Sequence, residues 1–136
     1  MNGIAKILIV DDESIVRMSH SRLLRGGDCK VEAVWNGADA LAEMERQAYD
    51  LVLLDLRMPE MDGLTTLRAI KSRWPSAEVV IITGYPTVET AKEAIRLGAY
   101  DYLAKPVPPD EVIKVANGAI AQKRWSLHQD RTIQAN

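Results

Sequence analysis

The chain has 136 residues, 47% of them hydrophobic and 26% charged, which is the size and composition of one globular domain. The formal net charge of −2 argues against binding nucleic acid through bulk positive charge, and no apolar run approaches the roughly 20 residues of a membrane helix. Because Cys29 is the single cysteine and the N-terminus lacks the features of a secretory signal, we expect a cytoplasmic protein that does not associate with membranes.

Apolar runs alternate with helical segments along the first half of the chain. Residues 4–10 form a nearly continuous apolar run, which is typical of a strand covered on both faces. A helix is predicted over residues 14–25, because a pair of glycines can end it there. A weaker strand follows over residues 31–35. Asn36 can then cap a second helix that runs through Gln47.

The same alternation continues with three further strands, predicted over residues 51–54, 79–82 and 101–104. Asp62 can cap the third helix, and Thr87 can cap the fourth. We expect both helices to turn an apolar stripe inward, formed by Leu64, Leu67 and Ile70 in the third and by Val88, Ala91 and Ile95 in the fourth.

The fifth helix is predicted to begin at Pro108-Pro109, since a proline in the first turn costs no hydrogen bond. Its inward stripe is expected to consist of Val112, Val115, Ala116 and Ala119. The domain is predicted over residues 1–123, and the polar residues 124–136 are expected to form an irregular tail or the stub of a linker. A longer helix stays open as an alternative, because three apolar residues recur at intervals of seven: Ile113, Ile120 and Leu127.

Five strands that alternate with five helices predict an α/β fold, in which a doubly wound parallel sheet carries helices on both faces. Crossovers in such a sheet are right-handed, so the carboxyl ends of all strands share one edge. Ligands of open parallel sheets bind at that edge.

Polar residues stand at this edge after four of the five strands, namely Asp11, Asp12, Asp55, Thr83 and Lys105. Clustered carboxylates repel one another unless a cation balances them. Mg²⁺ takes oxygen ligands of this kind, and the lysine adds a fixed positive charge. A carboxylate can also attack phosphorus and form an acyl phosphate. The pattern therefore predicts a Mg²⁺-dependent phosphoryl-transfer site.

Four segments make the sequence resemble the receiver domain of bacterial two-component response regulators, from about Ala5 to Gln122. They are Ile-Leu-Ile-Val-Asp-Asp-Glu at 7–13, Leu-Leu-Asp-Leu-Arg-Met-Pro-Glu-Met-Asp-Gly at 53–63, Ile-Ile-Thr-Gly-Tyr at 81–85 and Gly-Ala-Tyr-Asp-Tyr-Leu-Ala-Lys-Pro at 98–106. The resemblance implies the flavodoxin-like strand order 2-1-3-4-5.

The resemblance assigns the phosphoacceptor role to Asp55, which would receive the phosphoryl group from a phosphohistidine of a sensor histidine kinase or phosphotransfer protein. It implies that Asp12 binds Mg²⁺ directly and that Asp11 acts through water. Asp55 and the backbone carbonyl of Arg57 would complete the protein's share of the metal ligands. The domain is thus expected to be a phosphoacceptor with intrinsic autophosphorylation and autodephosphorylation, and not an enzyme.

Other residues would bind the phosphoryl group and report its presence. Lys105 would pair with the phosphoryl oxygens, Thr83 would hydrogen-bond them, and the backbone N–H groups of Leu56 and Gly84 would add donors. The resemblance further implies a cis Lys105-Pro106 bond. Phosphorylation would draw Thr83 inward, let Tyr102 turn from exposed to buried, and reshape the face formed by the fourth helix, fifth strand and fifth helix.

Two bulky residues, Arg57 and Tyr85, occupy the positions that tune acyl phosphate lifetime in this family, and we expect them to hinder the attacking water. The two histidines, His20 and His128, are expected to lie away from the acidic edge. Neither is expected to carry a phosphoryl group or to bind zinc.

The resemblance implies that the domain controls an output domain or a partner. Residues 81–85 are loosely similar to receivers joined to ATPase-type transcription activators, so we expect the output to act in transcription regulation. It leaves a homodimer open and implies no direct binding of nucleic acid by this domain. The alternatives are a stand-alone receiver and a protein-interaction module that works without phosphorylation. A flavin carrier would need a hydroxyl- and glycine-rich loop where this chain has Asp-Asp-Glu-Ser, and an aspartyl phosphatase would need aspartate in place of Arg57.

Overall fold

Five parallel strands and five helices alternate in the part of the chain that the computed structural model describes, residues 4–26, 28–58 and 61–135. The elements are β1 (Ala5–Val10), α1 (Ser14–Leu24), β2 (Cys29–Val34), α2 (Gly37–Arg46), β3 (Leu51–Leu54), α3 (Gly63–Arg73), β4 (Glu78–Thr83), α4 (Val88–Arg96), β5 (Asp101–Ala104) and α5 (Pro109–Ala135). The strands are ordered β2-β1-β3-β4-β5, and every neighbouring pair is parallel. The predicted fold class and strand order are confirmed.

The core lies on both faces of the sheet, since the central strands are buried on each side. In β3, Val52 and Leu54 pack in one hydrophobic cluster, whereas Leu51 and Leu53 pack in the other. The first cluster includes residues of α2, α3 and α4, and the second includes residues of α1 and α5. This two-sided burial explains the continuous apolar runs, because a strand covered on only one face would alternate between apolar and polar residues.

Side chains cap three helices as predicted. The side-chain oxygen of Asn36 accepts from the Asp39 N–H at the start of α2, and Asp62 does the same for Thr65 in α3. Thr87 accepts from the Thr90 N–H in α4. Each cap satisfies one backbone donor that lacks a partner inside its helix.

The predicted inward face of α4 is wrong. Val88 is 66% exposed and Ile95 is 52% exposed, and Ala91 is only half-buried. The buried residue of this helix is Ala94. The helix thus turns Ala94 toward the core, and the larger apolar residues Val88 and Ile95 face outward. The spacing of apolar residues predicts that a helix has an apolar face, but it does not predict what that face packs against.

The structure has a helix where we expected an irregular tail after residue 123, because α5 continues without a break to Ala135. Its predicted stripe packs on the core, with Val112, Ala116 and Ala119 buried. The ammonium of Lys123 donates to Asp50 Oδ1 at 2.7 Å and ties the helix to the start of β3. Among the described residues no helix, α5 included, is both long enough and apolar enough to cross a membrane.

A hydrogen-bonded group at the amino ends of the strands makes stability depend on pH. The Glu43 carboxylate accepts from the Tyr49 hydroxyl at 2.6 Å and from the Gln47 amide at 2.8 Å, and it pairs with Arg46. These bonds, that from Tyr49 foremost, outweigh burial and lower the pKa of Glu43 to about 2 from an ordinary 4.5. The folded state therefore binds this proton less readily than the unfolded chain does.

We expect the unfolding free energy of the wild type to fall as the pH is lowered from about 4.5 toward 2. The decrease should be larger in the wild type than in Glu43→Gln, which has no carboxylate at this position. Above pH 4.5 the carboxylate is ionised in both states and its contribution is complete. Urea unfolding at a series of pH values measures the difference. In Tyr49→Phe, which lacks the strongest of these bonds, the extra loss is expected to be smaller. Equal pH dependence in all three proteins would contradict the prediction.

Candidate functional site

The carboxyl edge of the sheet brings the predicted site residues together. In the pairing of β1 with β3, Val10 lies opposite Leu54, so the next residues, Asp11 and Asp55, leave the sheet side by side. The Asp55 N–H donates to the Val10 carbonyl at 3.0 Å and fixes this placement. Lys105 follows β5 directly, and its backbone N–H donates to the Thr83 carbonyl at 2.8 Å. Backbone pairing alone thus places two carboxylates and the lysine at one edge.

The Lys105 ammonium lies among three carboxylates. Its Nζ is 2.8 Å from Asp11 Oδ2, 3.1 Å from Glu13 Oε1 and 3.2 Å from Asp55 Oδ2. The side chains of Asp11 and Asp55 are each 5% exposed, whereas that of Glu13 is 62% exposed. The Lys105-Pro106 peptide bond is cis, as expected.

Four carboxylates, those of Asp11, Asp12, Glu13 and Asp55, have oxygens within 4.8 Å of one another. An all-oxygen donor set suits a hard cation such as Mg²⁺ better than it suits zinc or copper. Asp11 already receives the Lys105 ammonium and, at 2.9 Å, the Glu13 N–H. Asp12 lines the open cavity beside Asp55. The residues present therefore fit a divalent cation.

Burial and neighbouring charges oppose each other in setting the ionisation of Asp55. Burial raises the pKa of Asp55, and the negative Asp11 raises it further, while Lys105 and the Arg57 N–H act in the opposite direction. Burial lowers the pKa of Lys105, but its hydrogen bond to Asp11 and the two aspartate charges outweigh burial and raise it overall. The site thus holds a cationic lysine next to an aspartate whose ionised form needs further positive charge.

A cavity of about 420 Å³ opens over Asp55. Its wall includes Arg57 and Tyr85, whose side chains stack with the guanidinium carbon 3.9 Å from the ring centroid. Met58 and Gly84 complete this side of the cavity. The cavity is large enough for a phosphoryl group, and the stacked pair forms part of its wall.

The remaining predicted residues lie near the cavity in different roles. Thr83 is fully buried, and its hydroxyl accepts from the Tyr85 N–H at 3.2 Å, so in this state it does not line the cavity. Leu56 turns its side chain into the core, and its carbonyl accepts from the Gly63 N–H at 3.0 Å. Gly84 borders the cavity next to Lys105.

Tyr102 is half-buried beside the first turn of α4. Its hydroxyl lies 2.6 Å from the Thr90 hydroxyl and accepts from the Thr87 N–H at 3.2 Å. Tyr102 therefore contacts the N-terminus of α4 directly, which links β5 to the exposed helix face.

Sequence reasoning assigned no role to Glu13, although Glu13 directly follows the acidic pair. The expected location of His20 is wrong, because His20 lies against the same small internal space as Asp11 and Asp55. That His20 neither carries a phosphoryl group nor binds zinc stays a prediction. Burial lowers the pKa of His20, Lys105 lowers it as well, and Asp11 opposes them. The turn of α1 toward the sheet places His20 there, which helical period alone does not reveal. The expectation for His128 stays a prediction.

Comparison with known proteins identifies relatives that regulate transcription. A family model described as the response regulator receiver domain matches residues 7–117. The chain is 41% identical over 124 residues to the transcriptional regulatory protein ZraR of Salmonella typhimurium, an alignment that covers 91% of this chain and 28% of that protein. It is 36% identical over 130 residues to the DNA-binding transcriptional regulator NtrC of Escherichia coli, with 96% and 28% covered. The chain thus spans about 28% of the length of these relatives.

Solved structures share the fold. A CheY-like receiver domain from Methanospirillum hungatei superposes with a TM-score of 0.88 at 26% identity, which covers 91% of this chain and 99% of that one. NtrX from Brucella abortus gives a TM-score of 0.87 at 35% identity, with 93% of this chain and 30% of that one covered.

Proposed function

The chain belongs to the response regulator receiver domain family, and on that premise we propose that it is a phosphorylation switch in which Asp55 accepts a phosphoryl group from a phosphohistidine. The observation that carries the proposal is the Lys105 ammonium held between Asp11 and Asp55, 2.8 and 3.2 Å away, at an open cavity. This arrangement gives a nucleophile, a fixed positive charge and a place for the phosphoryl group.

In the proposed transfer, an Asp55 carboxylate oxygen forms the new bond to phosphorus while the phosphorus–nitrogen bond of the donor breaks. The electron pair leaves with the donor imidazole. Lys105 neutralises charge on the phosphoryl oxygens, and backbone N–H groups at Leu56 and Gly84 add donors. Asp12 and Asp55, with Asp11 through water and the Arg57 carbonyl, would hold Mg²⁺, which supplies further neutralisation of the phosphoryl charge.

The proposed switch moves Thr83 toward the phosphoryl group and Tyr102 toward the space that Thr83 leaves. Support comes from connectivity: Lys105 and Thr83 are joined by a backbone hydrogen bond, and the Tyr102 hydroxyl contacts Thr87 and Thr90 at the start of α4. A shift of Tyr102 would break these contacts and release the first turn of α4. The exposed apolar residues of α4 lie on the face that would then change.

The partners that we propose follow from the relatives, which are transcriptional regulators. We infer a sensor histidine kinase or a phosphotransfer protein as the donor and an output domain or separate target in transcription regulation, within the cytoplasm. We assign residues 1–123 to the receiver domain and residues 124–136 to a C-terminal tail or linker stub, of which the described part continues α5. A homodimer through the face of α4, β5 and α5 is compatible with the exposure of Val88 and Ile95.

Incubation with Mg²⁺ and acetyl phosphate tests the proposal. We expect intact-mass spectrometry to detect one added phosphoryl group, which neutral hydroxylamine removes because an acyl phosphate is labile to it. Chelation of Mg²⁺ should suppress the addition. Folded wild type that gains no mass would contradict the proposal and favour a protein-interaction module that works without phosphorylation.

The stacked pair Arg57 and Tyr85 is expected to slow hydrolysis of the acyl phosphate. Both side chains border the cavity over Asp55, so they narrow the path of an attacking water. We expect the double variant Arg57→Ala, Tyr85→Ala to lose the phosphoryl group several-fold faster than wild type, measured by decay of radiolabel after removal of the donor. The pair Arg73→Ala, Trp74→Ala, which removes a similar stack elsewhere, is the control. A wild-type half-life no longer than that of the first variant would refute the hypothesis.

A further inference from the structure

Glu13 stands at the N-cap position of α1 without acting as a cap. Its side chain makes no hydrogen bond to the first turn of the helix, and glutamate is not among the residues that commonly cap a helix. The Asp11 carboxylate instead holds the Glu13 N–H at 2.9 Å, and the Glu13 side chain reaches Lys105. The Glu13 side chain therefore contacts the site and does not contribute to the start of α1.

The contact with Glu13 uses the last hydrogen-bond donor of Lys105. An ammonium group has three N–H donors, and Lys105 directs them to Asp11, Glu13 and Asp55. A phosphoryl oxygen that binds Lys105 must therefore replace one of the three carboxylates. Release of Asp11, whose side chain is 5% exposed, would leave a buried charge without its partner, and Asp55 loses its charge only once the bond to phosphorus has formed. Glu13 is 62% exposed and can return to water at little cost while the phosphoryl group enters.

We propose that Glu13 is a positioning residue that occupies the phosphoryl-binding donor of Lys105 until the phosphoryl group displaces it. The inference rests on the proposed function and adds a regulatory element to it. In the resting state the Glu13 carboxylate occupies one N–H donor of Lys105, and its departure frees that donor for the phosphoryl oxygen. Glu13 thereby lowers the affinity of the resting site for anions.

A structural role alone does not explain the contact. Pairs exposed to this extent are screened by solvent and add little to folding stability. The Lys105 side chain is already held by Asp11 at 2.8 Å and Asp55 at 3.2 Å. What Glu13 changes is the number of free donors at the cavity.

Binding of beryllofluoride, a mimic of the phosphoryl group, tests the inference in the full chain at Mg²⁺ concentrations that saturate each protein. By fluorine NMR we expect about two- to fivefold tighter binding by Glu13→Gln, as loss of an exposed pair predicts. Glu13→Asp should also bind more tightly, because its side chain is one methylene shorter, which weakens the contact with Lys105, and because aspartate is suited to cap α1. Glu32→Gln, an exposed change of the same charge on β2, should bind as wild type does.

A second measurement does not depend on the metal or on the ligand. In Mg²⁺-free protein, exchange of the Lys105 ammonium protons with water should be faster in both Glu13 variants than in wild type. In Glu13→Gln the amide oxygen is an uncharged and weaker acceptor, and in Glu13→Asp the carboxylate lies farther from Lys105. Unchanged or weaker beryllofluoride binding by Glu13→Gln would overturn the inference. Tighter binding by Glu13→Gln together with wild-type binding by Glu13→Asp would also overturn it, because charge without contact would then suffice. If wild type fails to bind while Asp55 is intact and the protein is folded, the proposed function fails and this inference fails with it.

Discussion

Asp55→Asn is expected to abolish incorporation of the phosphoryl group, whereas Asp28→Asn is expected to leave it unchanged. The substitution preserves the shape of the side chain but replaces the carboxylate by a neutral amide. The amide oxygen is too weak a nucleophile to attack phosphorus at neutral pH. Asp28 is an exposed aspartate outside the site and controls for the change in charge. Intact-mass spectrometry after incubation with Mg²⁺ and acetyl phosphate measures both variants.

Loss of phosphorylation in Asp55→Asn should not come from unfolding. Burial raises the pKa of Asp55, so the folded state pays to ionise this side chain at any pH above that raised value. Removing the negative charge next to Asp11 therefore should leave the unfolding free energy at pH 7 equal or higher, as urea denaturation would show. A variant that still gains a hydroxylamine-labile phosphoryl group would place the acceptor elsewhere and contradict the assignment.

Gly63→Ala is expected to destabilise the domain by about 1–3 kcal/mol, the range typical of overpacking. A Cβ atom at Gly63 would lie 2.4 Å from Leu56 Cα and 2.6 Å from the Asp55 carbonyl oxygen. Both atoms belong to backbone, so the segment that carries Asp55 must move to make room. We expect slower phosphorylation as well, because displacement of this segment misplaces the nucleophile relative to Lys105.

Gly118→Ala is the matched control for Gly63→Ala. A Cβ atom there would approach the Tyr100 hydroxyl at 2.7 Å, but this is the tip of a partly exposed side chain that can shift. Replacing glycine by alanine inside α5 also favours the helix by up to about 1 kcal/mol. We therefore expect Gly118→Ala to match or exceed wild-type stability in urea denaturation. Equal stability of the two variants would show that the close approach at Gly63 is relieved without cost.

The sequence reveals most of the site because strand ends and site residues coincide. Asp11, Asp55 and Lys105 each follow an apolar strand, and parallel pairing brings such positions to one edge whatever the details of packing. Glu13 could have been found by the same reasoning, since it lies three residues past the end of β1. Its contact with Lys105 depends on side-chain length and on the missing cap, and neither follows from strand–helix alternation.

The sequence by itself determined the alternation of strands and helices, three of the caps and the gathering of charge at one sheet edge. Those features depend on local preference, hydrophobic period and the fixed handedness of crossovers, all of which act within short stretches of chain. Only the tertiary structure decided which side of α4 faces the sheet, that α5 continues past Lys123, and that His20 lies near Asp11 and Asp55. Each depends on how a helix is rotated or anchored against distant residues, and one stripe of apolar residues is compatible with several such placements.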